Sequence, residues 1–174
     1  MGLVYQVGHE GNSCPAPAAL RLLTVIDVTG IRVVHTRLCG CSRGDAIFDW
    51  QQLLREGWYP ATTSVPQTAA SVAVLDMYRR LKVIATVNVR DFVSVLESTS
   101  DPYGTEWTPD RYRAFGRMAR QWAFLKHVRQ SGVAHETGGV DEAADGSVAI
   151  SCWACPRVGV NLPAGWQTVA EKEK

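Results

Sequence analysis

Two apolar runs near the start of the chain predict a β-hairpin. The first, LTVIDVTG at residues 23–30, is rich in β-branched side chains and ends in turn-forming residues, and the second, IRVVHTRLC at residues 31–39, interleaves apolar and polar positions. Such runs on either side of a short glycine-containing turn are typical of paired strands. The far end of the hairpin leads Cys39 and Cys41 into a turn, where Gly40 permits the tight backbone that lets both sulfurs face one ion.

Helix-capping residues, prolines and glycines indicate where the elements after the hairpin begin and end. Asp45 is the predicted cap of a helix that runs to about Arg55 and is ended by Gly57. Two prolines and four Ser or Thr residues predict an extended connector over residues 58–69. Two further helices are predicted, one within residues 70–85 that is helical from about Leu75, and one from Val89 to Leu96.

The longest predicted helix begins at Pro109, with Thr108 as its cap, and runs to about Ser131 before Gly132. At about 100° per residue, its apolar and basic residues separate onto opposite sides. The apolar side holds Tyr112, Phe115, Ala119, Trp122 and Leu125, and the basic side holds Arg113, Arg117, Arg120 and His127. Beyond an acidic, glycine-rich loop, VAISCWAC at residues 148–155 predicts a short strand that ends in a turn.

The five cysteines are spaced for metal binding and not for disulfides. Cys39 and Cys41 form a CxC pair and Cys152 and Cys155 a CxxC pair, and in a reducing compartment such pairs more often hold a metal than each other. A structural zinc site needs four thiolate or imidazole ligands in a tetrahedron, and zinc is therefore the predicted cofactor. The alternative is that these are ordinary buried cysteines, which pack like small apolar side chains.

Two ligand assignments remain open at the level of sequence. In the first, His9 and Cys14 from GHEGNSCPAP join Cys39 and Cys41 in one site. In the second, the CxC pair meets the CxxC pair, Cys152 and Cys155, across the fold. His135 precedes the CxxC pair in the loop and is a further candidate ligand for it, whereas His35 and His127 are predicted to be packed or solvated.

These elements together predict an α+β fold in which an N-terminal β-hairpin packs with several helices, including the long amphipathic helix near 109–131, with zinc-knuckle-like cysteine turns. The chain has 174 residues, of which 46% are hydrophobic, so one core and a single domain over residues 1–166 are predicted, with a charged tail over 167–174. No signal peptide and no apolar run long enough to cross a membrane is evident, which favours a nuclear or cytoplasmic protein without a membrane partner.

The basic side of the long helix is a candidate nucleic-acid surface. Arg113, Arg117 and Arg120 recur at helical spacing, and Lys126 follows near their end, so phosphates of DNA are a candidate partner. The alternative is a solvated helix face that covers its own core. The net charge of +1 does not distinguish the two.

A nuclease is the enzymatic alternative. In VIDVTGIRVV an Asp ends a first strand before a turn and a second strand, as at the start of RNase-H-like nucleases, in which paired carboxylates hold two metal ions. Asp27 would be the first ligand and Asp76 the second, with Glu97 or Asp101 as a third. Against this, Asp27 also suits a hydrogen-bonded turn and Asp76 an amphipathic helix. No P-loop, GxSxG, HExxH or dinucleotide-binding motif is present.

Several sequence stretches resemble, in their order and spacing, the stretches of one protein family. These are GHEGNSCPAP, VIDVTGI, RLCGC, WYPATTSVPQTA, VLDMY, PDRYRAFGRMARQWAFLK and CWACPRVGVNLPAGW, which span residues 8–166. The pattern is similar to the CxC-type cysteine-cluster region, and the adjoining pre-catalytic segment, of the Kyakuja-Dileera-Zisupton (KDZ) transposases of mushroom-forming fungi. In that family further CxxC pairs and histidines precede the GHEG-like segment, and the catalytic carboxylates follow the NLPAGW-like segment.

The resemblance implies a non-catalytic, zinc-binding accessory module of a mobile-element protein, with DNA as a candidate partner and no catalytic residues in this chain. Two alternatives are kept: a fragment of an RNase-H-like nuclease or transposase that uses Asp27 and Asp76, and a protein-interaction module derived from a mobile element. The sequence does not specify a target site, a protein partner or an oligomeric state.

Overall fold

A computed structural model of the chain describes residues 4–9, 12–41, 48–105, 111–149, 152, 154–162 and 165. Its strands are β1 Val4–Gln6, β2 Arg21–Asp27, β3 Gly30–Arg37, β4 Trp58–Pro60 and β5 Thr68–Ser71, in the sheet order β1-β3-β2-β5-β4. Its helices are α1 Asp49–Arg55, α2 Val72–Ile84, α3 Val89–Ser100 and α4 Tyr112–Ser131, followed by a short 3-10 helix at Val133–His135. The predicted α+β class is therefore confirmed.

The predicted hairpin is present as β2 and β3. The two strands pair antiparallel, with Leu23 opposite Val34 and Asp27 opposite Gly30. The carboxylate of Asp27 accepts hydrogen bonds from the hydroxyl of Thr29 at 3.0 Å and from its backbone N–H at 3.5 Å. Asp27 therefore closes the turn locally, as the alternative interpretation of this residue predicted.

The extended connector predicted for residues 58–69 is wrong at its two ends, which form β4 and the beginning of β5, whereas residues 61–67 lie in neither a helix nor a strand. β5 pairs in parallel with β2, and β4 pairs antiparallel with β5. The helix expected from about Leu75 begins at Val72, where the hydroxyl of Ser71 accepts the N–H of Val74 and caps it. The predicted caps Asp45 and Thr108, and Pro109, lie outside the described residues.

Alternating residues of the central strands face two different cores, because side chains point to opposite sides along a strand. On one side, Ile26 and Ala70 join residues of α2, α3 and α4 in a cluster around three aromatic rings. These are Tyr78, Phe92 and Phe115, with ring centroids 5.0 to 5.4 Å apart. The predicted apolar side of the long helix is thus confirmed at Phe115.

The other side of the sheet carries the smaller core, beneath α1. Leu23, Val25 and Ala69 of the sheet pack there with Leu53 of α1. The same cluster contains Val7 and Leu38, which directly precede Gly8–His9 and Cys39 along the chain. This core therefore positions two of the segments that carry candidate metal ligands.

By contact density the chain divides into two compact units, residues 1–125 and 126–174. The single domain expected over 1–166 stays a prediction. In the second unit Val148 and Ala149 lie in turns and bends, so the strand expected at 148–155 is wrong for these two described residues; Ile150, Ser151 and Trp153 lie outside the description. None of the helices in the described ranges combines the length and apolarity needed to span a bilayer.

Candidate metal centre

Three separate segments bring four candidate ligands together. His9 follows β1, Cys14 lies in the loop before β2, and Cys39 and Cys41 follow β3. One ligand atom from each of the four lies within 4.8 Å of all the others. The structure therefore brings together the residues of the first ligand assignment, in an arrangement that could hold a metal ion.

The spacings of these ligand atoms suit a tetrahedral ion. His9 Nε2 lies 3.1 Å from Cys39 Sγ and 3.7 Å from Cys41 Sγ, and Cys14 Sγ lies 3.5 Å from Cys41 Sγ. A zinc tetrahedron with Zn–S bonds of about 2.3 Å has S···S edges of about 3.8 Å. The three separations are therefore close to the edges of such a tetrahedron.

The backbone around the CxC turn is held by the loop that carries Cys14. Pro17 and Cys39 form an isolated antiparallel bridge, and the N–H of Gly40 donates to the carbonyl of Ala16 at 2.9 Å. A Cβ at position 40 would lie 2.9 Å from that same carbonyl oxygen, so only glycine permits the approach. Gly40 is thus required by a close backbone contact, which brings Cys14 next to the CxC pair.

The backbone at Gly8 and His9 changes direction sharply, because both residues adopt left-handed conformations. Gly8 has φ of 83° and His9 has φ of 56°, both in the left-handed region. Glycine adopts this region freely, whereas histidine does so at a cost in conformational energy. Such local strain persists where surrounding contacts hold it, and here it turns the imidazole back toward Cys39.

Gln52 of α1 and Glu56, which directly follows α1, hold two of the three ligand-bearing segments. Gln52 is buried, and its side-chain amide accepts the N–H of Cys39 at 2.8 Å and donates to the carbonyl of Cys39 at 3.0 Å. Glu56 accepts the N–H of Gly8 at 2.9 Å and the hydroxyl of Tyr5 at 3.0 Å. These residues fix the outer shell of the candidate site, as hydrogen-bonded neighbours do around metal ligands generally.

Sequence analysis missed Gln52 and Glu56. The signal was that Gln52 lies beside buried Leu53 on the helix, and that Glu56 follows four residues later, directly after the end of the helix. A polar residue on the inner side of a short helix indicates a buried hydrogen-bond partner.

The thiols of Cys14 and Cys41 differ in pKa. Burial of Cys14 raises its pKa, but hydrogen bonds from the N–H of Ala16, from the Cys41 and Cys39 side chains and from the N–H of Gly40 outweigh this, so the pKa is lowered overall. The pKa of Cys41 is raised, first by its hydrogen bond to Cys14 and then by burial. Cys14 is therefore the more acidic thiol of the metal-free pair, and both thiols must be ionised when they bind zinc.

The second cysteine pair belongs to the second unit. Cys152 and Cys155 are both exposed, and their side chains hydrogen-bond to each other. The remaining candidate ligand of that unit, His135, lies in the 3-10 helix.

The three candidate nucleic-acid arginines of the first unit, Arg113, Arg117 and Arg120, are all exposed on α4, whereas Lys126 is half-buried. The Arg113 Nε donates to the hydroxyl of Tyr112 at 3.2 Å, and Arg90 of α3 lies over the ring of Tyr112 at 4.7 Å. The pKa of Tyr112 is lowered by its hydrogen bonds to Arg113 and Arg90. Arg90 therefore joins this surface, which sequence periodicity within one helix could not reveal.

The carboxylates proposed for a nuclease site have other partners. Asp27 accepts the hydroxyl of Ser71 at 2.5 Å in addition to Thr29, and Asp76 accepts the indole N–H of Trp122 at 2.8 Å. Both side chains thus link elements of the first unit, Asp27 joining the hairpin turn to the cap of α2. These contacts support the interpretation of Asp27 as a turn residue and of Asp76 as part of an amphipathic helix.

Comparison with known proteins places the cysteine site within a family. The family described as CxC2 like cysteine cluster associated with KDZ transposases matches residues 1–104, a range that includes His9, Cys14, Cys39 and Cys41. No curated protein and no solved structure gives a significant match. The matched region is a cysteine cluster that accompanies transposases and is not itself a catalytic domain. Since the match covers more than half of the chain, the protein belongs to the CxC2-like cysteine-cluster family associated with KDZ transposases.

Proposed function

We propose that this chain is a non-catalytic accessory module of a mobile-element protein and that it binds zinc through His9, Cys14, Cys39 and Cys41. The observation that carries the proposal is the convergence of these four ligand atoms from three segments of the chain. Thiolate and imidazole ligands in a tetrahedron are typical of structural zinc, and a site with four protein ligands leaves no position for a reacting water. The zinc would tie the end of β1, the loop before β2 and the end of β3 together.

Metal analysis of the full chain, purified without added zinc and under reducing conditions, tests this proposal. We expect tightly bound zinc in the wild type, with loss of one equivalent in Cys14→Ser and in Cys39→Ser. His35→Ala is the matched control, because His35 is an exposed histidine on β3 and should leave the zinc content unchanged. A wild-type chain that retains no zinc, or a Cys14→Ser variant that retains all of it, would contradict the proposal.

We further propose that the exposed arginines of α4, with Arg90 beside them, contact the phosphates of duplex DNA, which would require access to the nucleus. The support is their exposure and their spacing at positions i, i+4 and i+7, which places Arg113, Arg117 and Arg120 on one side of the helix. Phosphate contacts of this kind are sequence-independent and depend strongly on salt, because binding releases condensed counterions.

Reversing the charge of the α4 arginines tests whether they contact DNA. We expect the Arg113→Glu, Arg117→Glu, Arg120→Glu triple variant to bind duplex DNA more weakly, with the slope of log K against log[salt] reduced in magnitude by roughly 3. The control reverses three exposed cations elsewhere, at Arg32, Arg80 and Lys82, and has the same net charge. Equal binding by the two triple variants would reject the basic side of α4 as the DNA-binding surface, and a wild type without DNA binding would favour the protein-interaction alternative.

A further inference from the structure

Two arginines from different helices meet at one tyrosine of the first unit. Arg90 of α3 lies over the ring of Tyr112, with its Cζ 4.7 Å from the ring centroid. Arg113 of α4 donates from Nε to the hydroxyl of Tyr112 at 3.2 Å, and its Cζ lies 5.9 Å from the same centroid. Contacts of both kinds hold an arginine against an aromatic side chain. Tyr112 therefore holds two positive charges next to each other.

Packing between α3 and α4 determines where these charges meet. Tyr112 is half-buried and packs against the larger core. The first turn of α3 lies directly on α4, since a Cβ at buried Gly116 would lie 3.4 Å from Cγ1 of Val89, the residue before Arg90. The side chain of Asn88 caps the same turn of α3. The backbone that carries the two arginines is thus well supported, whereas both arginine side chains are exposed.

Two adjacent guanidinium groups suit a single phosphate. Each guanidinium presents its N–H donors in a planar fork, and a phosphate carries several acceptor oxygens, so one phosphate can accept hydrogen bonds from both groups at once. The two positive charges also add at this point, which strengthens the attraction for an anion. By contrast, Arg113 and Arg120 lie seven residues apart on α4, about 10 Å along the helix axis, and would contact different phosphates.

We propose that Arg90 and Arg113 together bind one backbone phosphate of DNA, and that Tyr112 is a positioning residue that sets the separation of their guanidinium groups. The inference rests on the proposed contact of α4 with duplex DNA, and it deepens that proposal by assigning arginines from two helices to the same phosphate. A shared phosphate makes the effects of the two arginines on affinity depend on each other, whereas contacts to separate phosphates would be independent.

Binding of the full chain to duplex DNA, measured over a series of salt concentrations, tests the shared phosphate through a double-mutant cycle. We expect Arg90→Gln and Arg113→Gln each to weaken binding by about 10-fold, and the double variant also by about 10-fold instead of about 100-fold. The slope of log K against log[salt] should fall in magnitude by about 1 in this double variant. In the control pair, Arg113→Gln with Arg120→Gln, the losses should multiply and the slope should fall by about 2.

The same cycle in a Tyr112→Phe chain tests the positioning role. Phenylalanine keeps the ring and its packing and removes only the hydroxyl that Arg113 contacts. We expect the losses from Arg90→Gln and Arg113→Gln to multiply in this chain, while the salt slope before those substitutions stays as in the wild type; a general loss of stability would not change how the two losses combine. Tyr103→Phe is the control, because Tyr103 is 90% exposed, and it should leave the cycle as in the wild type.

Three results would count against this inference, and they differ from one another. Losses that multiply for Arg90 and Arg113 in a wild type that binds DNA would overturn the shared phosphate and leave the α4 proposal standing. A cycle that is the same in Tyr112→Phe as in the wild type would overturn the positioning role of Tyr112. A wild type that does not bind duplex DNA would overturn the α4 proposal and this inference with it.

Discussion

Gln52 shows how a single buried side chain can determine the position of a candidate metal ligand. Its amide satisfies both the N–H and the carbonyl of Cys39, so Gln52→Ala leaves two backbone groups without these partners. We expect a loss of ~1–3 kcal/mol in the free energy of unfolding and, because the Cys39 ligand is released, a fall in zinc affinity of about 10–100-fold. Competition of the folded variant with a zinc chelator measures the affinity. Arg55→Gln, an exposed change on the same helix, is the control, and equal zinc affinity in the two variants would contradict the prediction.

Asp27 offers a second test at this scale, in the response of stability to pH. Burial raises its pKa, but hydrogen bonds from Ser71, from the N–H of Val28 and from Thr29 outweigh this, so its pKa lies below the usual 3.8. A carboxyl whose folded-state pKa is lowered contributes stability above its unfolded-state pKa and loses it as the pH falls through the folded-state pKa.

Replacing the charged carboxylate of Asp27 by a neutral amide should therefore matter at neutral pH and not in acid. Because the side chain is partly exposed and solvent screens it, Asp27→Asn should lower the free energy of unfolding by no more than about 1 kcal/mol at pH 7. The free energies of unfolding of the two proteins, measured by urea denaturation, should converge as the pH falls through the folded-state pKa of Asp27, which lies below 3.8. A difference that stays constant across this range would show that shape, and not charge, is responsible.

At the scale of elements, α1 connects the smaller core to the candidate zinc site. Leu53 is 1% exposed and shares its cluster with Val7 and Leu38, next to two of the ligand-bearing segments. Leu53→Ala should cost ~2–5 kcal/mol of stability and also weaken zinc binding. Leu96→Ala is the matched control, because Leu96 is buried in the core on the opposite side of the sheet. Leu96→Ala should lower the free energy of unfolding by a similar amount, with little change in the zinc affinity of the folded protein, measured by chelator competition. An equal loss of zinc affinity in Leu53→Ala and Leu96→Ala would contradict a special role of α1.

The elements that sequence could predict are those with strong local signals. The β2–β3 hairpin is predicted by consecutive β-branched residues, and the candidate ligands His9, Cys14, Cys39 and Cys41 stand out because few types of side chain bind zinc. By contrast, β4 and β5 are only three and four residues long, and β5 exists because it pairs with β2, about forty residues away in sequence. The place of Gln52 on the inner side of α1 indicates a buried partner, but the identity of that partner, the backbone of Cys39, depends on a tertiary approach that no local pattern encodes.

At the scale of the first unit, stability should be unevenly distributed between its two cores. The larger cluster around Tyr78, Phe92 and Phe115 has a three-ring contact of its own, whereas the smaller core borders the segments that zinc would tie together. Proteins open in local cooperative units, and a ligand that binds only the closed form protects the unit that contains its site. Zinc should therefore act on the α1 side of the sheet.

Hydrogen exchange of the full chain with and without a chelator measures this distribution residue by residue. Removal of zinc should speed exchange at the amides of Gly8, Cys39 and Gly40, whose N–H groups donate to Glu56, Gln52 and the carbonyl of Ala16 respectively. Amides in α2 and α3 should change far less, because the larger core does not include the ligand-bearing segments. A uniform rise across both cores would mean that the first unit opens only as a whole, in which case zinc stabilises the entire sheet and α1 has no separate part in holding the site closed.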